Sequence, residues 1–384
     1  MRSILIFAGS TMFLGLGLGR FAFSPLIPEV VGHGWLSVEA AQAVGAANLV
    51  GYLAGALLAK PALRLINERG LSLTSGALVF LSYALLIPSF GVGWLWLMRF
   101  LSGVGGALLM VVATAAAGRQ LAVLDRQRFQ PLVFVGIGLG AVFAAICLPR
   151  VLVYGLGVGI VALTVFSGGA LAALWWSSDF LHRNIVPRAP NAGPVSLTRW
   201  SVYLILLAYG CDALGFVMHT VYLPDMLRRA YGHSEVQVGF SWAMFGIGAC
   251  FGPFFVMLLR RALSALNALW VGFSLKAFGV ALVLFATDPV TASLSLFIVG
   301  MLTPGIVILT SGALSAAARP DRYLTLWASG TALFALCQMT SGMFIAATSA
   351  QGYETALVLS VIVLGAGAIL AFTSKFLLEK DALR

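Results

Sequence analysis

Charged side chains are scarce in this sequence of 384 residues. Asp, Glu, Lys and Arg together make up 9% of it, whereas about 25% is usual for soluble proteins. Hydrophobic residues make up 60%, so a water-soluble fold would have too little polar surface to face its solvent. The scarcity of charge therefore excludes a soluble globular protein and indicates that lipid surrounds most of the chain.

Cysteine and histidine are also rare, with four of each. All four cysteines lie within apolar runs and none forms a CxxC pair, so neither a disulfide framework nor a metal site is expected. No nucleophile–base pair stands out, and the Gly15-Leu-Gly-Leu-Gly19 run is not a dinucleotide fingerprint because no strand precedes it. We predict a protein that is not an enzyme and has no catalytic residues, metal or cofactor.

What the sequence has in abundance is long apolar runs. A helix needs about 20 residues to cross the hydrocarbon core, and runs this continuous can span a membrane only as helices. The first run has no small-x-small cleavage site after it and is predicted to be a retained helix rather than a signal peptide. The fold class is therefore an all-α membrane protein with twelve transmembrane helices, at 4–27, 38–59, 71–90, 94–117, 131–149, 153–176, 200–223, 236–259, 265–287, 290–313, 324–347 and 354–376.

The basic residues lie mostly on one side of these spans. Of the 23 Lys and Arg residues, 17 fall in the N-terminus, the even-numbered loops and the tail, and three fall in the odd-numbered loops. By the positive-inside rule both termini are cytoplasmic, as expected for a bacterial-type inner-membrane protein. The formal charge of +10 is thus a topology signal, and no nucleic-acid partner is predicted.

The chain is predicted to consist of two related halves. Residues 177–199 carry three prolines and a glycine, which indicate a cytoplasmic linker between six-helix bundles at 1–176 and 200–384. At an offset of about 196 residues, Phe100-Leu-Ser-Gly103 matches Phe297-Ile-Val-Gly300. The exits from those two spans also match, which favours an internal repeat.

Three segments carry a resemblance to a known family. Arg99-x-x-x-Gly103-x-Gly105 resembles the motif at the start of span 4 in major facilitator transporters. The segment at 15–28, Gly-Leu-Gly-Leu-Gly-Arg-Phe-Ala-Phe-Ser-Pro-Leu-Ile-Pro, resembles the first helix of the YbfB/YjiJ-like branch. The loop at 60–70 departs from the family pattern, since the Asp that latches the cytoplasmic gate is missing. The resemblance implies two pseudo-symmetric six-helix bundles with a substrate site at midplane between them.

Two arginines within the first half are candidates for function, because a charge at a helix centre costs about 2.5–3.5 kcal/mol. On a helical wheel Arg20 shares an arc with Phe13, Gly17 and Ser24 and would suit a carboxylate or phosphate-like anion. The other interpretation is an arginine that closes the outer gate. For Arg99 the family resemblance implies a role in proton coupling or in helix packing.

Span 7 carries the clearest stripe in the second half. Tyr209, Asp212, Phe216 and His219 fall on one arc. A carboxyl that alternates between protonated and ion-paired states is what proton coupling requires, so Asp212 is predicted to couple protons. His219 could extend the relay or be a satisfied histidine at a helix interface. Lys276, at the centre of span 9, has no predicted role.

Spans 2 and 11 carry mixed aromatic and polar faces typical of a cavity wall, although such stripes also occur in interhelical packing. The residues predicted to bind substrate are Arg20, Asn48, Tyr52, Tyr209, Trp327, Thr331 and Gln338, and those predicted to couple protons are Asp212, His219 and Arg99.

The function expected from these features is proton-coupled movement of a small organic anion by alternating access, in a monomer embedded in the lipid bilayer. Arg20 would anchor the anion and Asp212 would be the coupling carboxyl. Proton-antiport efflux of amphipathic or cationic compounds is an alternative that uses Asp212 as the counter-charge. A membrane sensor without flux is a further alternative.

Overall fold

The computed structural model describes residues 1–24, 26–87, 90–183, 200–317, 320–348 and 353–382, and these contain helices and turns without any β-strand. The α-helices are α1 Arg2–Met12, α2 Leu26–Gly32, α3 Val38–Leu65, α4 Glu68–Ala84, α5 Val92–Leu108, α6 Thr114–Val123, α7 Val135–Val142, α8 Leu148–Leu152, α9 Leu156–Ser177, α10 Phe180–Arg183, α11 Trp200–Val217, α12 Leu223–Arg229, α13 Glu235–Ala262, α14 Ala265–Phe285, α15 Pro289–Ala317, α16 Pro320–Thr348 and α17 Glu354–Ala382. Four π-helical segments continue α1, α5, α7 and α11, at Phe13–Phe21, Leu109–Ala113, Phe143–Cys147 and Met218–Tyr222, and a 3₁₀ helix at Gln127–Phe134 precedes α7.

Eleven of the helical stretches in the described part of the chain are long and apolar enough to cross a membrane. The stretch predicted as the third span corresponds to α4, Glu68–Ala84, which has 17 residues. At 1.5 Å per residue it is about 26 Å long, slightly less than the roughly 30 Å of a typical hydrocarbon core. The protein is thus an all-helical membrane protein, and the count of twelve spans depends on whether α4 crosses.

The chain divides into two compact units, Met1–Ile185 and Val186–Arg384. The predicted linker at 177–199 falls mostly outside the described residues, which stop at 183 and resume at 200. Of the predicted linker residues that are described, Ser177 ends α9 and Phe180–Arg183 forms α10.

The same helix crossing is built into each unit at an offset of 197 residues. In the first unit, a Cβ on Gly51 would lie 2.0 Å from the Phe100 carbonyl oxygen, where α3 crosses α5. In the second unit, a Cβ on Gly248 would lie 2.1 Å from the Phe297 carbonyl oxygen, where α13 crosses α15. Glycine is required at these points because only a residue without a side chain lets the two backbones approach so closely.

Helix starts repeat at the same offset. The Ser37 side chain caps α3 and the Ser234 side chain caps α13, the latter in a capping box with Gln237. Asn67 caps α4 and Ser264 caps α14 in the same way. Such caps satisfy backbone N–H groups that a helix leaves free at its start, so the repeat includes the positions at which helices begin.

The first span differs from its prediction as one α-helix over 4–27. After α1 the chain continues as a π-helix over Phe13–Phe21, turns at 22–24, and resumes as α2 from Leu26. A π-helix bonds i to i+5 and so changes the phase of the side chains. The predicted arc that placed Arg20 with Phe13, Gly17 and Ser24 assumed α-helical spacing throughout and is wrong for this segment.

Candidate functional site

In the first unit, polar side chains converge on one backbone oxygen in the π-helical segment. The Gly19 carbonyl accepts hydrogen bonds from Arg99 Nη1 at 2.8 Å, Ser102 Oγ at 2.9 Å and Asn48 Nδ2 at 3.2 Å. The neighbouring Leu18 carbonyl accepts a bond from Tyr83 Oη at 2.6 Å. Helices α3, α4 and α5 are thereby tied to the same turn of the first span.

Arg99 is 3% exposed and so has lost nearly all contact with solvent. Besides its bond to Gly19, its guanidinium lies 4.3 Å from the centroid of the Phe23 ring. None of the carboxylates in the described part of the chain forms an ion pair with it. A carbonyl dipole and an aromatic face therefore stabilise a buried cation without cancelling its charge.

Arg20 follows the Gly19 carbonyl directly and is half-buried. Its guanidinium lies 5.6 Å from the Phe21 ring centroid, and it is within electrostatic range of Tyr52 and of Arg99. Two guanidinium groups thus raise the local potential around the π-helical segment, which favours an anion there.

Asn48 and Tyr52 lie beside these arginines on α3. Both amide hydrogens of Asn48 are used, because Nδ2 donates to Arg99 O at 3.3 Å as well as to Gly19 O. Tyr52 is buried within electrostatic range of Arg20. The structure therefore brings Arg20, Tyr52, Asn48 and Arg99 together, and their predicted roles stay predictions.

In the second unit, a buried ion pair joins α11 to α14. Lys276 Nζ lies 2.6 Å from Asp212 Oδ1, and the two side chains are 0% and 1% exposed. The ammonium also lies 5.0 Å from the Phe216 ring centroid. No role was predicted for Lys276, and it neutralises Asp212, the residue predicted to couple protons.

His219 points to a different neighbour from Asp212. Its Nε2 lies 2.9 Å from Ser295 Oγ on α15, and this hydroxyl donates to the Gly279 carbonyl on α14 at 2.7 Å. The side chain is fully buried. His219 therefore lies at a helix interface, but its Nδ1 is buried without a hydrogen-bond partner among the described residues, and a role in a proton relay stays a prediction.

The aromatic members of the predicted stripes form one cluster. The Tyr209 ring stacks on Trp327 with the centroids 5.9 Å apart and is tilted against Phe334 at 4.5 Å, and the Phe334 centroid lies 5.6 Å from that of Phe216. The predicted stripe on α11 is therefore divided between two neighbours, since Tyr209 contacts α16, Asp212 contacts α14 and Phe216 contacts both.

Two polar residues of α16 that were predicted to bind substrate, Thr331 and Gln338, differ in their hydrogen bonding. Thr331 Oγ1 donates to the Trp327 carbonyl of its own helix at 2.9 Å. Gln338 is 0% exposed, and neither its Oε1 nor its Nε2 has a hydrogen-bond partner among the described residues. A buried amide without partners is unfavourable by roughly 1–3 kcal/mol, so Gln338 is the better candidate for contact with a ligand or with water.

The sequence contained a signal for the Asp212–Lys276 pair that periodicity alone could not show. A buried charge requires a partner of opposite sign. In the spans of the second half, Asp212 is the acid near midplane and Lys276 is the corresponding base. Ser102, Tyr83 and Ser295 had no such signal, because serine and tyrosine are common in helices that pack by small side chains.

The start of α4, where the loop at 60–70 departs from the family pattern, has ion pairs. Glu68 pairs with Arg119, which joins α4 to α6. Arg69 Nη2 lies 2.8 Å from Asp179 Oδ1, and its Nε donates to Ser178 Oγ at 2.9 Å. These contacts fix the start of α4 to the ends of α6 and α9.

The comparisons with known proteins agree with the resemblance seen in the sequence. A family model described as "Uncharacterised MFS-type transporter YbfB" matches residues 12–374. No curated protein matches the chain. The matched stretch contains every candidate residue discussed above.

Proposed function

The chain belongs to the family of uncharacterised MFS-type transporter YbfB, and we propose that it moves a small organic anion across the membrane together with protons. Membership makes it a membrane transporter, with a small-molecule substrate and lipid as its surroundings. The anionic substrate, the proton coupling and alternating access in a monomer are the parts that we infer. Arg20 is the proposed anchor for the anion.

One observation carries this proposal, namely the excess of positive charge inside the spans. Among the described residues away from the ends of the spans, the buried or half-buried cations are Arg20, Arg99 and Lys276, and the buried carboxylate is Asp212. Lys276 and Asp212 cancel each other. Arg20 and Arg99 bring two guanidinium groups within electrostatic range of each other in the first unit, and an anion with a planar carboxylate matches the fork of an arginine.

Arg20 suits this role better than Arg99. Arg99 donates to the Gly19 carbonyl and is covered by the Phe23 ring, so it is fixed in place. Arg20 is more exposed than Arg99, so a ligand can reach it more easily. Arg99 supports the anion through its charge, since it lies within electrostatic range of Arg20.

The orientation that we propose has both termini in the cytoplasm and the protein in a bacterial-type cytoplasmic membrane. It is supported by the 17 of 23 basic residues on one side of the spans and by the positive-inside rule. Inward-directed protons would then drive uptake of the anion.

Efflux of amphipathic or cationic compounds is the second candidate. It is favoured by the buried aromatic cluster of Tyr209, Phe216, Trp327 and Phe334, since aromatic faces bind cations. It is weakened by the pairing of Asp212 with Lys276, because the acid that would attract a cation is already neutralised.

Proteoliposomes containing the purified protein test the proposal. Uptake of radiolabelled lactate, gluconate and benzoate is measured under an inward proton gradient. We expect Arg20→Gln to reduce uptake at least tenfold. Arg20→Lys should retain part of the uptake with a raised KM, because it keeps the charge and loses the planar fork. Arg150→Gln, which removes an exposed arginine, should leave uptake unchanged.

Two results would contradict the proposal. If Arg20→Gln keeps anion uptake, the anchor is assigned wrongly. If the wild-type protein moves none of the anions but exchanges protons for ethidium, the efflux function is correct instead. Specific ligand binding without any flux would support the sensor alternative.

A further inference from the structure

The Asp212–Lys276 ion pair is buried, and a buried ion pair adds little to the stability of the folded protein. Both groups are excluded from solvent at a separation of 2.6 Å, so each has lost its hydration. The attraction between buried charges roughly offsets that loss, and apolar side chains of similar size often stabilise a protein as well or better. The pair is therefore poorly explained as a stabilising link between α11 and α14.

The surroundings of Lys276 allow the pair to open. The ammonium has a second favourable contact, because the Phe216 ring centroid is 5.0 Å away and a ring face attracts a cation whether or not Asp212 is ionised. An ammonium is also a point charge on a flexible stem with three donors. It can exchange one oxygen ligand for another without the planar alignment that an arginine needs.

Few other titratable groups face the pair in the described part of the second unit. His219 interacts with Lys276, and Cys211 interacts with Asp212. Cys337 of α16 lies near Cys211. Helix α15 contains no titratable side chain over its length Pro289–Ala317, and those described on α17 are Glu354 and Lys375 near its ends. Among the described residues around the pair, Asp212 is therefore the carboxylate that can accept a proton.

We infer that Lys276 is a binding residue for the transported anion, and that its ammonium pairs alternately with Asp212 and with this anion. A proton binds the Asp212 carboxylate, converts it to the neutral acid and releases the ammonium. The ammonium then pairs with a carboxylate of the substrate. When the anion leaves, Asp212 loses the proton and the ion pair forms again.

This exchange fixes the stoichiometry of transport. One proton enters for each anionic group that replaces Asp212, so a monocarboxylate moves with one proton and without net charge. The inference rests on the proposed function, because it requires an anionic substrate. It adds a residue, Lys276, and a reason why proton and anion must bind together.

Four proteins test the inference in proteoliposomes: the wild type, Asp212→Asn, Lys276→Met and the double variant. Asp212→Asn imitates the protonated acid, so it should keep carboxylate counterflow and lose accumulation driven by a pH gradient at least tenfold. Lys276→Met should lose both activities. The double variant should also lose both, although it leaves no unpaired charge at positions 212 and 276 and should melt within a few degrees of the wild type.

The double variant Asp288→Asn/Lys375→Met is the control for the removal of one negative and one positive charge. These residues lie near the ends of α15 and α17, and Asn can replace Asp288 as a helix cap. The control should accumulate and exchange carboxylates as the wild type does. If the Asp212/Lys276 double variant also keeps accumulation within twofold of the wild type, the pair is structural and the inference is wrong.

If the variants fail to fold, a measurement on the wild type alone tests whether a proton binds together with the anion. Lactate, gluconate and benzoate are titrated calorimetrically into the detergent-purified protein in buffers of different ionisation enthalpy. We expect uptake of about one proton per bound anion at neutral pH. Binding without proton uptake would overturn the inference while leaving the proposed function in place. Binding and counterflow of none of the three would contradict the proposed function itself.

Discussion

At the scale of single residues, the first unit concentrates its polar contacts on the Gly19 carbonyl. Three side chains from α3 and α5 donate to this oxygen. A π-helix displaces backbone groups from the regular i to i+4 pattern, which leaves carbonyls accessible to side chains. Gly19 also lacks a side chain that would collide with Ser102 Oγ, 3.2 Å from where its Cβ would be.

We expect Arg99→Lys to lower the free energy of unfolding by about 1.5–3 kcal/mol, the usual contribution of a hydrogen bond to a charged group. Lysine keeps the charge but loses the flat group that stacks on Phe23, and its ammonium is harder to dehydrate. Unfolding of the detergent-purified protein by heat or denaturant measures the difference. Arg150→Lys, at an exposed arginine that bonds the Ile146 carbonyl, is the control. Equal stability of the two variants would show that Arg99 is not held by these contacts.

At the scale of helices, the close crossings of α3 with α5 and of α13 with α15 form the framework of each unit. Gly103 lies against the Asn48 carbonyl and Gly300 against the Phe245 carbonyl, each with a Cβ position 2.1 Å from the oxygen. Helices α3 and α5, which carry Asn48 and Arg99, are thus packed at backbone contact. A shift at the crossing would move Asn48 and Arg99 away from Gly19.

We expect Gly300→Ala and Gly248→Ala to destabilise the second unit by about 1–3 kcal/mol each, the usual effect of overpacking. The added methyl group would meet a carbonyl oxygen that the partner helix cannot withdraw. Gly312→Ala on α15 and Gly239→Ala on α13 are matched controls, because no atom lies within 4 Å of a Cβ at either position. Melting temperatures in detergent should fall for the first pair alone. A similar fall in all four would indicate an effect of glycine flexibility rather than of helix contact.

At the scale of the whole molecule, the question is whether α4 crosses the membrane. Its 17 residues are at the short end of the usual range for a transmembrane helix. Eleven crossings would place the two termini on opposite sides, whereas the loop charges require an even number.

We expect alkaline phosphatase fused after Asn67 to be inactive in bacteria and the same enzyme fused after Gly91 to be active, because the reporter folds only outside the cytoplasm. Fusions after Arg126 and after Gly155 are controls, since the loop charges predict them to be cytoplasmic and external, respectively. Equal activity after Asn67 and Gly91 would show that α4 does not cross. The span count would then be eleven, and the predicted cytoplasmic position of one terminus would be wrong.

The sequence predicted much of the architecture and little of the contact pattern at the candidate site. Apolar runs and loop charges are local properties, so the spans could be located without knowing how the helices pack. The direction of the Arg20 side chain could not be predicted, because the π-helical segment Phe13–Phe21 interrupts the α-helical repeat there. The stripe on α11 was seen as one face, although Tyr209 and Asp212 have different helices as neighbours.

The sequence by itself determined that this chain lies in a membrane as a helical repeat, because hydrophobicity, basic loops and duplicated motifs need no tertiary information. The structure added that the glycine crossings and the helix caps repeat at an offset of 197 residues. Only the tertiary structure decided that Lys276 pairs with Asp212, 64 residues away, and that Arg99 reaches the Gly19 carbonyl, 80 residues away. Buried charges take their partners from whichever helix packs beside them, and that neighbour is chosen by packing rather than by position in the chain.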